Sequence, residues 1–105
     1  MSDPAEVSRI VDFVSYQDGA VVSRIVLKRA AGTITLFAFD AGQELSEHTA
    51  PYEALVQVLD GEAAITVAGQ PRRVRAGEMI LLPAHQPHAL KALSRFKMLL
   101  TMIRA

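Results

Sequence analysis

From Ala20 to the C-terminus, apolar and polar residues alternate at or near period two, in short blocks separated by breaks at Gly, Pro and Asp. Val21 to Arg29 is rich in Val and Ile. Thr33 to Phe39 (TITLFAF) is β-branched and aromatic throughout. Tyr52 to Leu59, Glu62 to Ala68, Arg72 to Arg75, Glu78 to Leu82, Pro87 to Ala92 and Phe96 to Ile103 continue the series. The breaks fall at Ala31-Gly32, Asp40-Ala41-Gly42, Asp60-Gly61, Gly69-Gln70-Pro71, Ala76-Gly77 and between Pro83 and Pro87. Asp60-Gly61, set between two alternating runs, is the strongest hairpin signal. No helical periodicity follows residue 20. Eight or so short strands with turn signals about every 8–12 residues predict an all-β sandwich or closed barrel.

The first 19 residues read differently. Ser2-Asp3-Pro4-Ala5-Glu6 has the form of a helix start, a capping residue followed by Pro at the first helical position. Val7 to Tyr16 fits either a short helix or a strand, with Val11, Phe13 and Val14 covering the barrel from outside. Gln17-Asp18-Gly19 is a turn. The expected organisation is one domain, 1–105, with an irregular or helical segment at 1–19 and a β-barrel over 20–105.

Composition narrows the function classes. Lys plus Arg and Asp plus Glu number 11 each, so the formal net charge is zero. That balance gives no electrostatic reason to expect nucleic acid or an anionic membrane as partner. Zero net charge with half the residues hydrophobic favours self-association. There is no Cys, which removes disulfides and thiolate chemistry. No apolar run approaches the roughly 18 residues of a membrane span. The first residues lack the basic and apolar regions of a signal peptide, so a cytoplasmic protein is expected.

Two stretches carry the chemistry, Gly42 to Gly61 (GQELSEHTAPYEALVQVLDG) and Gly77 to Leu90 (GEMILLPAHQPHAL). They resemble the two signature motifs of the cupin family, small β-barrels of the jelly-roll type. In the first motif Gly42, His48 and Gly61 match; in the second, Gly77, Pro83 and His88 match. The resemblance covers roughly residues 33–100. It implies a jelly-roll barrel whose interior holds a divalent metal on three His and one Glu. Here the second His of the first motif falls on Ala50 and the Glu on Ala54. The inner Gly of the second motif is His85, and its terminal Asn is Ala92. Glu53 is one residue early, and alternation turns it to the other face.

Two of the four implied ligands therefore remain, His48 and His88, with His85 as a possible third. Transition metals usually take three or four protein ligands, so the expectation is at most one weakly held divalent ion. The two Ala replacements should leave a wider, more apolar cavity, lined by Ala50, Ala54, Val56, Val58 and Leu82, with two imidazoles on one side. A small apolar or aromatic molecule with one carboxylate, carbonyl or hydroxyl suits such a cavity. The function expected is small-molecule binding near His48 and His88. The alternative is a metal-dependent enzyme of dioxygenase, isomerase or decarboxylase type. A metal-free enzyme with His as general base, as in the family's sugar epimerases, lacks an evident Asp or Tyr partner. Tyr52 and Glu53 are expected at a rim or interface, and Lys91, Arg95 and Lys97 on a solvated face. Met98, Leu100 and Met102 are expected in core or dimer packing. A homodimer is expected, with Leu55, Leu59, Leu99 and Phe37 as candidate outward-facing contacts.

Overall fold

A computed structural model describes residues 5–104, so the helix start read at Ser2-Asp3-Pro4 lies outside the described residues. Nine strands follow a single 3-10 turn at Ile10–Asp12. They are β1 (Val21–Arg29), β2 (Gly32–Phe39), β3 (Glu44–His48), β4 (Glu53–Asp60), β5 (Glu62–Val67), β6 (Gln70–Arg75), β7 (Met79–Leu82), β8 (His88–Ala92) and β9 (Phe96–Ile103). A five-stranded sheet has the order β1-β2-β9-β4-β7 and a four-stranded sheet the order β3-β8-β5-β6. All pairings are antiparallel. This is the all-β arrangement that the alternation predicts and the jelly roll that the resemblance implies.

The strand missing from the sequence reading is β3. Its residues, ELSEH, are polar at four of five positions, so no apolar alternation marks them. Pairing with β8 makes them a strand nonetheless. Pro71 sits inside β6 rather than in the turn, which falls at Ala68-Gly69. It is tolerated because β6 is an edge strand, with one side of its backbone unpaired.

The core is the apolar layer between the two sheets. Phe39, Val56, Val58, Phe96 and Met98 come from the larger sheet; Ala63, Ile65, Leu90 and Ala92 come from the smaller. Phe39 and Phe96 stack at 4.5 Å between centroids, 17° from parallel. Burying such side chains contributes roughly 1.5–3 kcal/mol each, set against the entropy of ordering the chain.

A second cluster lies on the opposite face of the larger sheet. Val14, Leu36 and Ala38 are buried there, with Phe13, Tyr16, Val22, Leu59 and Leu99 packed against them. The N-terminal segment is thus an external cover, as expected of Phe13 and Val14. It is held by polar contacts. Lys97 Nζ donates to the Val11 carbonyl, and Tyr16 donates to Asp60 at 2.6 Å. Arg95 bridges Asp40, at 2.8 Å, and Asp18. Arg95 and Lys97 therefore fasten the cover; Lys91 and Arg95 are exposed as expected, and Lys97 is half-buried. Leu59 and Leu99 are partly covered by this segment. Phe37, expected to face outward, instead faces inward, because it pairs in register with inward-facing Met98 and packs on the core.

Gly61 closes the β4–β5 hairpin at φ 72°, and a Cβ built on it would lie 1.9 Å from the Arg95 carbonyl oxygen. Both the left-handed backbone and that close approach demand glycine. Gly61→Ala is expected to cost about 2–4 kcal/mol, read as a lower midpoint in chemical denaturation. An unchanged midpoint would show that the hairpin relaxes freely.

Candidate functional site

His48 ends β3 and His88 begins β8, and the two are register partners. Between Leu45 and His48 the ladder shifts: three steps along β3 match two along β8, from Leu90 to His88. One extra residue has this effect because alternation has period two. Leu45 and His48 would otherwise face opposite sides, yet both line the same cavity. Glu44, at the start of β3, is exposed and lies opposite Lys91.

The bulge supplies a hydrogen bond as well. His48 Nδ1 lies 2.8 Å from the Ser46 carbonyl, inside the bulged segment. His88 Nδ1 lies 3.2 Å from the Gln86 carbonyl, in the loop before β8. Each ring thus donates from Nδ1 to a carbonyl two residues earlier and turns Nε2 inward. The two Nε2 atoms meet at 3.0 Å, with the rings 72° apart.

The three contacts require three hydrogens, and two neutral imidazoles carry two. The pair is one short. A proton, a donor on a bound molecule or a metal cation would complete it. Burial disfavours the proton: His88 is only 8 % exposed, and desolvation, reinforced by His48, holds its pKa below the ordinary imidazole value.

Around this pair lies a cavity of about 150 Å³ between the sheets. Ala50, Ala54, Val56 and Leu82 line it; Val58 does not, being fully buried deeper in the core. Its walls also include Phe37, Tyr52, Leu100 and two thioethers, Met98 and Met102. Tyr52, expected at a rim or interface, is half-buried there, and Met98, expected in core or dimer packing, is a core residue that also forms the wall. The even-numbered positions of β9 signalled this wall, since they share one face of a strand across from β4. A larger open groove, between the edges of β6 and β7, lies away from both histidines. Arg72, Arg73 and Glu78 line it, but neither motif histidine does, so the smaller cavity is the better site.

His85 does not line the cavity. It is exposed, with φ 67°, and donates its backbone N–H to the Ala50 carbonyl at 2.7 Å. The conformation explains why the resembling motif has Gly here. Glu53 is turned away too, accepting from the Ala84 N–H at 3.2 Å.

These residues do not fit a resident divalent metal. Among the described residues no three His, Cys, Asp or Glu side chains are grouped to hold one. Two imidazoles supply two bonds, and the positions that would supply the rest are the methyl groups of Ala50 and Ala54.

The pKa direction sets a pH dependence. The buried His88 resists a proton that the unfolded chain accepts, so its contribution is present above about pH 6.5 and is lost as pH falls further. Asp40, stabilised by the Gly19 N–H and Arg95, and Glu62, held by Arg75, have lowered pKa values and lose theirs only in the acid carboxylate range. Stability measured by denaturation is expected to decline between pH 7 and 5, and His88→Gln to flatten that slope. An equal slope in the variant would place the dependence elsewhere.

Comparison with known proteins agrees with this fold. No curated protein matches the chain. A conserved protein of unknown function from Streptococcus pyogenes superposes with TM-score 0.92 at 37% identity, over 96% of this chain and 89% of its own. A cupin superfamily protein from Desulfitobacterium hafniense superposes at 0.91 with 27% identity, over 96% and 93%. A cupin 2 conserved barrel domain protein from Leptotrichia buccalis superposes at 0.87 with 40% identity, over 90% of this chain and 46% of that one. Among the described residues no helix is long and apolar enough to cross a membrane. The family model for the cupin domain matches residues 35–104, the span holding both histidines, both motifs and eight of the nine strands in whole or large part, and the chain belongs to the cupin family.

Proposed function

We propose that this cupin binds a small, mostly apolar molecule in the cavity between its sheets, oriented by His48 and His88. One observation carries the reading: two imidazole Nε2 atoms, 3.0 Å apart and one hydrogen short, converge in a cavity otherwise walled by aliphatic, aromatic and thioether groups. A cavity of about 150 Å³ has the capacity of a benzene-sized body. The ligand class is therefore a single ring or short branched chain with one hydroxyl or carboxylic acid. Its hydrogen completes the imidazole pair, and the walls exclude water from the rest. His48 is exposed and His88 buried, so the molecule enters past His48. A metal-dependent enzyme has less support, because the protein offers only two donors of the family type.

Ligand-observed NMR with a library of phenols and small acids tests this. Binders of roughly six to ten heavy atoms are expected. Ala54→Leu, which fills the cavity, should abolish binding. His48→Ala should weaken it about tenfold or more, the effect of losing a buried hydrogen bond. Binders unaffected by Ala54→Leu would rule the cavity out.

The protein partner we infer is a second copy of the chain. Leu27, Ile34, Thr101, Leu55 and Leu81 lie in register across all five strands of the larger sheet, on its outer face. Leu27 and Leu81, at 42 % and 55 % exposed, leave that row open at both ends. Zero net charge sets no long-range repulsion against pairing. Sedimentation should give a dimer at micromolar concentration, and Leu81→Glu a folded monomer. A wild-type monomer would refute the pairing.

A further inference from the structure

The two sheets have four edge strands, β1 and β7 in the larger and β3 and β6 in the smaller. A free edge is a row of unpaired N–H and C=O groups, and soluble proteins block it with charges, Pro or a bulge. β1 carries Arg24, Lys28 and Arg29 and a bulge between Ile25 and Leu27. β3 carries Glu44 and Glu47 and the bulge before His48. β6 carries Pro71 with Arg72, Arg73 and Arg75. β7 has none of these. Its residues, MILL, are apolar throughout and pair with β4 in unbroken register. Met79 is 69 % exposed and Leu81 55 %.

The ladder fixes which backbone groups are open. Val58 donates to the Glu78 carbonyl at 2.9 Å, so positions 78, 80 and 82 bond toward β4. Met79 and Leu81 therefore turn their N–H and C=O groups to the outer edge. Facing them across a groove of about 620 Å³ is β6. That strand's own edge is closed: Pro71 has no N–H, and the Arg75 N–H donates to Glu78 Oε1 at 2.8 Å. Val67, Val74 and Ile80 line the groove together with Arg72. Alternation along β6 puts Arg72 on the face of buried Val74. Arg73 is paired with Glu62, and the Glu78 carboxylate is engaged by backbone. Arg72 has no acidic partner among the described residues.

We propose that the free edge of β7 takes up an extended peptide segment bearing an acidic side chain, added as a further strand whose carboxylate pairs with Arg72. Main-chain hydrogen bonds to Met79 and Leu81 hold the segment, and the arginine selects its charge. A second copy of β7 is a poorer occupant, because it brings a second Arg72 and no free carboxylate to the groove.

The test is fluorescence anisotropy with two labelled peptides of about seven residues, alternating Val and Thr around a central Glu or a central Lys. The Glu peptide is expected to bind at micromolar concentration and the Lys peptide about tenfold or more weaker. Arg72→Glu should reverse that order. Met79→Pro removes one outward N–H and leaves the β4 ladder bonded, so it should weaken the Glu peptide about tenfold, with sedimentation unchanged. Lys91→Glu, an equal change of charge on the other sheet, should leave both affinities unaltered. Failure of the Glu peptide to bind, equal binding of the two peptides, or wild-type affinity in Met79→Pro overturns the site. Loss of the dimer in Met79→Pro overturns it too, and puts a second copy on this edge.

Discussion

Two sheets closing over one apolar layer is the constraint from which the rest of this structure follows. Each strand at that layer presents alternate residues to it, as the burial of β4, β5 and β8 shows. Phe39 against Phe96, with Val56, Val58, Ile65 and Met98 around them, packs one end of the layer solidly. At the other end the layer is not filled. Small residues at 50 and 54 leave a cavity rather than a core, and it is bounded by the same inward-facing positions that pack elsewhere. The site is a part of the core from which volume has been withdrawn.

The histidines reach that space through a local exception to the alternation. One extra residue in β3 turns His48 to the side already taken by Leu45. The bulged backbone then binds the ring through the Ser46 carbonyl. His88 needs no exception, because it opens β8 on the inward face, and the preceding loop supplies its carbonyl. Two rings fixed at Nδ1 can only offer Nε2 to each other and to whatever enters. Their shortage of one hydrogen is the chemical property of the site, and burial of His88 keeps a solvent proton from relieving it cheaply.

The outer face of the larger sheet is organised by separate interactions. Arg95, Lys97 and Tyr16 tie the N-terminal segment across Leu36 and Ala38, and the mostly apolar row from Leu27 to Leu81 is left beyond that cover. The cover and the cavity lie on opposite sides of one sheet. Strand β9 serves both: Leu99 packs outward under the segment while Met98 and Met102 line the cavity.

The sequence by itself determined the all-β class, eight of the nine strands, the two motifs and the identity of the histidine pair. Those features are local: alternation, β-branched runs and Gly or Pro breaks each act within a few residues. Glu53 was legible in the same way, since a one-residue offset changes its face. The tertiary structure alone decided the rest. The polar strand β3 exists because β8 pairs with it, and His48 faces inward because the register of that pairing slips by one. His85 is removed from the site by a backbone turn that ties it to Ala50. Phe37, Tyr52, Met98 and Met102 became cavity walls because the strands opposite and beside them put methyl groups there. Face and neighbour are set by pairing across distant segments, and no single stretch of chain contains that information.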